Sequence, residues 1–384
     1  MLLAEFGFWF AVGVLVYTYV GFSALVVVMA GFKKRHVRKK EIQPSVTLIV
    51  AAWNEEKVIG DRIQNALEMD YPAEQLQIII ASDGSDDQTV EIATSYDDKR
   101  VSVLDLPRRG KILALQDAMA EANGEIIIFS DANSMFKTDA IAKLVANFAD
   151  PDVGGVCGNQ LYVTSDDFES SNLGENMYWN FDKWLKKMES LTGSIVSADG
   201  AIYAIRKELF EMPESISTTD DFALSTAVVV KGYRLVYEND ACAMEAPMAA
   251  SDKEFRRKVR VINRGLMGVL MRKKLLNPFK YGFYAIELFS HKVLRRAIPI
   301  FLVLIFALSV SLRNESSFYL IALAAQSALY LLAGLGYLFR SHQIGKNKLL
   351  YIPFFYCLAN AAAFVAIVRV LAGKSYERWQ PQRN

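Results

Sequence analysis

Residues 46–56 read VTLIVAAWNEE: seven residues from Val46 to Ala52 that are apolar or β-branched, broken abruptly by Asn54, Glu55 and Glu56. A short run of this kind predicts a buried strand that ends in a polar turn. The pattern returns at Leu76–Ala81 (LQIIIA), Val101–Leu104 and Ile126–Phe129. Between these runs the apolar spacing changes to a helical one, over Glu56–Met69, Asp87–Tyr96 and Lys111–Ala122. Strands alternating with helices predict an α/β fold with a doubly wound, mainly parallel sheet. Its site is expected at the carboxyl ends of the strands. Residues 41–276 are enough chain for one such domain with a good core.

Outward from that domain the composition changes. The chain has 384 residues, 52% hydrophobic yet 22% charged, and a mean hydropathy of +0.17. Both hold together if apolar residues are concentrated in membrane segments and charge in an aqueous domain. With 43 Lys+Arg against 42 Asp+Glu, no basic excess points to nucleic acid. Three scattered cysteines and three histidines argue against a disulfide scaffold and a zinc site. Phe6–Phe32 carries no charge over 27 residues, long enough to span a bilayer, and reads as a retained anchor. Six Lys/Arg follow within residues 33–40, which predicts a cytoplasmic side for what comes next. Residues 1–40 are thus an anchor with its basic flank. Residues 277–296 mix aromatic and basic side chains and predict an interfacial amphipathic helix. Residues 297–372 hold three uncharged runs, Ala297–Leu312, Ser316–Phe339 and Leu349–Val368. For the basic tail, 373–384, strict alternation of spans predicts the outside and its charges predict the inside.

Polar residues collect at the strand ends: Asn54-Glu55-Glu56, Asp83-Gly84-Ser85, Gly110-Lys111 and Asp131-Ala132-Asn133. An acid ending the second strand is placed to bond a ribose or a base edge. The first turn, Ala52-Trp53-Asn54-Glu55, lacks the glycines of a dinucleotide fold, and no GxxxxGK[ST] occurs. A diphosphate bound here needs a divalent cation and basic side chains. Asp131 and Asn133 offer hard oxygens that suit magnesium or manganese, and Lys111 adds a point charge. Each piece alone has an ordinary explanation as a turn or a helix cap. Their joint placement on consecutive strand ends carries the reading.

These motifs, with Asp199-Gly200-Ala201-Ile202-Tyr203-Ala204-Ile205-Arg206 and Thr218-Thr219-Asp220-Asp221-Phe222, resemble the membrane-integrated family 2 glycosyltransferases. That group holds the cellulose, hyaluronan and poly-N-acetylglucosamine synthases. The resemblance covers roughly residues 44–265. It implies a GT-A fold, a nucleotide-diphosphate sugar donor, usually UDP-linked, a divalent metal (Mg2+ or Mn2+) and inversion at the anomeric carbon. By position it assigns the nucleotide-sugar site to Ala51, Asn54, Glu55, Asp83, Lys111, Asp131 and Arg260. Glu55 and Asp83 fall at the uridine and Lys111 near the phosphates. Asp131 and Asn133 match the Asp-x-Asp metal motif, with Asn in place of the second acid. Asp220 and Asp221 match the Thr-Glu-Asp motif, whose last acid is the general base.

Arg257-Lys258-Val259-Arg260-Val261 falls where the synthases carry Gln-x-x-Arg-Trp, so Arg260 matches and Val261 replaces the acceptor-stacking Trp. Tyr178, Trp179, Phe181 and Trp184 read as core or acceptor-channel residues, and Trp379 resembles a tail motif of some relatives. The function implied is transfer of a sugar to a growing exopolysaccharide at the inner membrane, with the catalytic domain cytoplasmic. Its partners would be a UDP-sugar, a glycan or lipid-linked acceptor, the bilayer and polysaccharide-export proteins, with no nucleic acid. Two alternatives stand beside it: single-sugar transfer to a polyprenyl-phosphate or glycolipid, and a non-catalytic nucleotide-binding partner of a synthase.

Overall fold

The computed structural model describes residues 1–162, 173–213, 218–246 and 252–375, and the chain divides into two compact units. The tail around Trp379 lies outside the described residues. One unit, residues 30–163 with 186–248, contains the sheet. Its strands are β1 (Val46–Ala52), β2 (Leu76–Asp83), β3 (Val101–Leu106), β4 (Ile126–Asp131), β5 (Met135–Phe136), β6 (Val153–Tyr162), β7 (Ile202–Arg206) and β8 (Arg234–Glu245). They lie in the order β3-β2-β1-β4-β7-β6-β8-β5. Every residue of β1 is buried, as expected of a strand covered on both faces.

The first four strands run parallel, with Ala51 opposite both Ala81 and Asp131. That register brings the loops after β1, β2 and β4 to one edge of the sheet. The helices Ile59–Leu67, Thr89–Thr94 and Lys111–Glu121 connect them, shorter than their sequence patterns by five, four and one residues. The second half of this mainly parallel sheet is mixed: β6 and β8 pair parallel, while β7 runs antiparallel to both β4 and β6. The reversal has a consequence for the site. Because β7 starts where β4 ends, with Ile202 opposite Ser130, the preceding Gly200 and Ala201 arrive beside Asp131.

The core joins Leu48, Val50, Ile78, Ile80, Ile126 and Ile128 of the parallel strands to Ile59 and Ile63 of the first helix. Each such side chain contributes about 1.5–3 kcal/mol on full burial. The basic flank belongs to this unit too: Arg38 pairs with Asp150 at 3.2 Å and Lys39 with Glu238 at 2.5 Å.

The other unit, residues 1–29, 164–185 and 249–375, holds the apolar helices. Four helical stretches, Leu2–Lys33, Phe283–Leu312, Ser317–Leu338 and Lys348–Leu371, are long and apolar enough to cross a membrane. The first and second each pass through a π-helical turn, Tyr17–Gly21 and Phe289–Leu294. The Tyr17 hydroxyl meets Ser290 Oγ at 2.9 Å between them. The stretch 277–296 is not a separate helix. A short helix Pro278–Tyr281 ends at Gly282, whose φ of 58° breaks the chain. From Phe283 the helix then continues into the apolar run and reaches 30 residues. Phe181 and Trp184 are 37% and 40% exposed rather than core, and the Tyr178 and Trp179 side chains lie outside the described residues.

Candidate active site

Asp131 ends β4, and Lys111 opens the helix Lys111–Glu121. The Lys111 ammonium bonds Asp131 Oδ1 at 2.7 Å and Asp220 Oδ2 at 2.8 Å. Lys111 is only 8% exposed. Burial would depress its pKa, but the Asp131 and Asp220 carboxylates outweigh that and hold the ammonium above the ordinary lysine value. Asp220 and Asp221 start the helix Asp220–Val230, with Thr219 preceding it and making no side-chain cap. A helix N-terminus favours both carboxylates in their ionised form. Asp221 Oδ1 accepts from the Phe222 amide at 2.7 Å.

Gly200 lies among these charges. A Cβ there would stand 3.8 Å from Asp131 Oδ2, 4.0 Å from Asp221 Cβ and 4.0 Å from Lys111 Nζ. Two acids and one lysine, from three separate chain segments, therefore converge on one glycine, and Asp220 joins them through its ion pair with Lys111. Beneath them Tyr203 is fully buried, stacked on Phe129 at 4.9 Å between ring centroids. Burial first, then Asp220, Asp221 and Asp131, push its phenol well above the usual value.

The second group is built on Asp83, at the end of β2 and 1% exposed. Its Oδ1 accepts from the Arg109 and Gly110 amides, each at 2.8 Å, and its other oxygen meets the Arg108 guanidinium. Asp83 thus organises the loop that leads into Lys111. Gly84 makes this possible: it adopts φ +66°, and a Cβ there would sit 2.7 Å from the Arg108 amide nitrogen. Arg108 in turn lies over the Trp53 ring at 3.8 Å, a flat cationic and aromatic surface at the edge of the site.

Asn54, at φ 55°, is engaged in joining loops. Its Nδ2 donates to Asp86 Oδ1 at 2.5 Å, and its Oδ1 accepts from the Asp86 amide at 3.0 Å. Glu55 is buried, and its amide donates to Thr89 Oγ1 at 2.7 Å. Ala51 is buried on β1 opposite Asp131. Asn133 follows Asp131 in the turn after β4. These residues all belong to the sheet unit, and the structure gathers them at its loop-bearing edge. Arg260 lies on the helix Asp252–Met271 of the other unit. Arg206, quoted within the Asp199–Arg206 motif, is structural: it donates to the Val153, Phe148 and Asp150 carbonyls.

Sequence reasoning missed Arg108, Trp53, Gly200 and Tyr203 as parts of the site. Three of them stand inside or next to the quoted motifs, so position was the available signal. Tyr203 too stands inside a quoted motif, but strand alternation alone does not say which acids a core tyrosine underlies.

Asp131, Asp220 and Asn133 provide hard oxygens, the donor chemistry of Mg2+ or Mn2+. Among the described residues no cluster of three His, Cys, Asp or Glu is arranged to hold a metal unaided. That fits an ion held by one or two carboxylates together with substrate phosphates. Asp131 and Asn133 would hold it, and its charge would offset that of the diphosphate.

Residues 47–212 match the family described as Glycosyl transferase family 2. The poly-beta-1,6-N-acetyl-D-glucosamine synthase of Staphylococcus aureus is 29% identical over 225 residues, 56% of this chain and 53% of that protein. The enzyme of the same description from Staphylococcus epidermidis is 29% identical over 214 residues, 53% of this chain and 50% of that protein. The chain thus spans about half the length of the curated relatives it matches. The fold also aligns with the mannosyltransferase PcManGT from Pyrobaculum calidifontis, solved with GDP-Man and Mn2+. The TM-score is 0.71 at 22% identity, over 96% of this chain and 100% of that one. At that identity the likeness concerns the fold. Residues 47–212 of this chain are thus similar to the family 2 glycosyltransferases and lie in a GT-A-like fold, and among the described residues one long apolar helix precedes that stretch in sequence and three follow it.

Proposed function

We propose that the chain is an inverting glycosyltransferase that moves a sugar from a UDP-linked donor to a growing exopolysaccharide at a membrane. The observation that carries this reading is the convergence of Asp131, Lys111 and Asp221 around Gly200, with Asp220 paired to Lys111. A sugar hydroxyl is a poor nucleophile, and a carboxylate set against it takes its proton as the new bond forms. Asp221 has that role: the acceptor oxygen bonds the anomeric carbon, the bond from that carbon to the β-phosphate oxygen breaks, and the proton goes to the carboxylate. Lys111 neutralises charge that grows on the departing diphosphate. A bound Mg2+ or Mn2+ would add further positive charge at the same oxygens. Arg108 over Trp53 offers the nucleobase a stacking surface, held in place through Asp83.

The staphylococcal poly-beta-1,6-N-acetyl-D-glucosamine synthases support a polysaccharide product, and the four apolar stretches with the basic segment 33–40 support an inner-membrane protein whose domain is cytoplasmic and supplied with cellular UDP-sugars. Export proteins and a glycan or lipid-linked acceptor complete that setting. Val261, where the synthases carry Trp, favours a second reading: transfer of one sugar to a polyprenyl-phosphate or glycolipid. Product size on a gel separates the two.

The decisive experiment screens UDP-sugars for UDP release by the purified chain and compares Asp221→Asn with the parent. The variant keeps the shape and the bond to the Phe222 amide but cannot accept the proton. Transfer should fall by about a hundredfold or more while UDP affinity stays near the parent value. Equal transfer in both proteins would reduce Asp221 to a helix-start residue. No UDP release from any donor would favour the non-catalytic nucleotide-binding partner.

A further inference from the structure

Lys111 is an uncommon place to find a buried ammonium. It stands at the first position of the helix Lys111–Glu121, after Gly110, where the helix field disfavours positive charge. The two carboxylates that compensate it, Asp131 and Asp220, come from β4 and from the start of the helix Asp220–Val230. Asp131 is also the acid matched to the metal motif. One oxygen of that carboxylate is engaged by the ammonium at 2.7 Å, and the Asp220 oxygen is engaged at 2.8 Å. An ammonium and a divalent cation on the same carboxylate repel strongly in a partly desolvated site.

We infer that Lys111 is an internal counter-ion that holds Asp131 and Asp220 against a divalent cation until a diphosphate draws the ammonium away. Metal and nucleotide then bind as a coupled pair, each raising the affinity for the other by the same factor. The inference rests on the donor reading above for the identity of the diphosphate, but the lock itself does not need nucleotide. A diphosphate brings the negative charge that both cations require, so neither has to leave the site when it arrives. The lysine would keep the acids paired and in position in the empty enzyme. It would also keep cytoplasmic Mg2+ from filling the site without substrate.

The test measures free Mn2+ by electron paramagnetic resonance while the full chain is titrated in detergent, with and without saturating UDP. In the parent, UDP should raise Mn2+ affinity about tenfold or more. In Lys111→Met, which keeps the length of the side chain without its charge, nucleotide-free Mn2+ affinity should rise about tenfold and the effect of UDP should shrink. Lys111→Arg should behave as the parent. Unchanged nucleotide-free affinity in Lys111→Met overturns the lock, and so does a parent whose Mn2+ affinity ignores bound UDP. If Lys111→Met does not fold, Lys111→Gln takes its place in the same titration, and unchanged nucleotide-free Mn2+ affinity there overturns the lock. A parent that binds Mn2+ but not UDP overturns the donor reading, while the nucleotide-free comparison still judges the lock.

Discussion

Arg62 illustrates how far a single residue can stand from its sequence pattern. It occupies an unremarked position in the helix Ile59–Leu67 yet is fully buried. Its guanidinium reaches Asn65 Oδ1 at 3.2 Å and Ser130 Oγ at 3.3 Å, and lies 4.5 Å from the centre of the Phe136 ring. Burial alone pulls its pKa down to about 9. A buried charge held by neutral partners costs stability that an apolar residue of similar length would not. We expect Arg62→Met to melt at or above the parent temperature in a thermal-shift assay, whereas Arg62→Ala also loses packing and should melt lower. A clear fall for Arg62→Met would mean that the guanidinium bond to Ser130, the neighbour of Asp131, is needed for the fold. Nothing in the helical period announced this residue: the period marks a face, and an arginine on that face reads as solvent-exposed until the layers are assembled. Asp131, Asp221 and Lys111 were legible because each sits at the end of a strand or the start of a helix.

At the scale of elements, the loops after the strands do the positioning, and their backbone geometry matters as much as their side chains. Gly84 follows β2 at φ +66°, a conformation that costs an ordinary residue about 1–2 kcal/mol. In Gly84→Ala a methyl would also meet the Arg108 amide and displace the loop that carries Arg108 to Trp53 and leads into Lys111. UDP affinity measured by calorimetry should therefore drop by about tenfold, the equivalent of ~1.4 kcal/mol, with the fold retained. An unchanged affinity would show that this loop does not shape the nucleotide site. The parallel strands were legible because each is a compact apolar run. β6 and β8 were not: Val153–Tyr162 contains three glycines, and Arg234–Glu245 contains Glu238, Asn239 and Asp240 in mid-strand. Such strands exist because their neighbours pair with them, with shifts in register between Val153 and Gly155 and between Cys157 and Asn159.

At the scale of the whole molecule, charge beside an apolar helix is the property that sets orientation. The six Lys/Arg of residues 33–40 predict that the α/β domain faces the cytoplasm. A reporter fused after Gln43 should be active in the cytoplasm, and activity confined to the outside would reverse the topology. Arg38 and Lys39 are also paired with Asp150 and Glu238 in the sheet unit. The same basic segment is therefore tied to the α/β fold as well.

By itself the sequence determined the parallel half of the sheet, the resemblance of its domain to the family 2 glycosyltransferases, the four apolar stretches and the acids at the strand ends. These are local properties: an apolar period, a charge-free run and a motif each lie within a few dozen residues. Only the tertiary structure decided that β7 enters antiparallel and brings Gly200 beside Asp131. The same holds for the ammonium shared by Asp131 and Asp220, the loop that occupies Asp83, and the helix that continues through residues 283–296. Each depends on segments far apart in the chain competing for one partner or one edge, and that competition is resolved by packing and charge in three dimensions rather than by any local pattern.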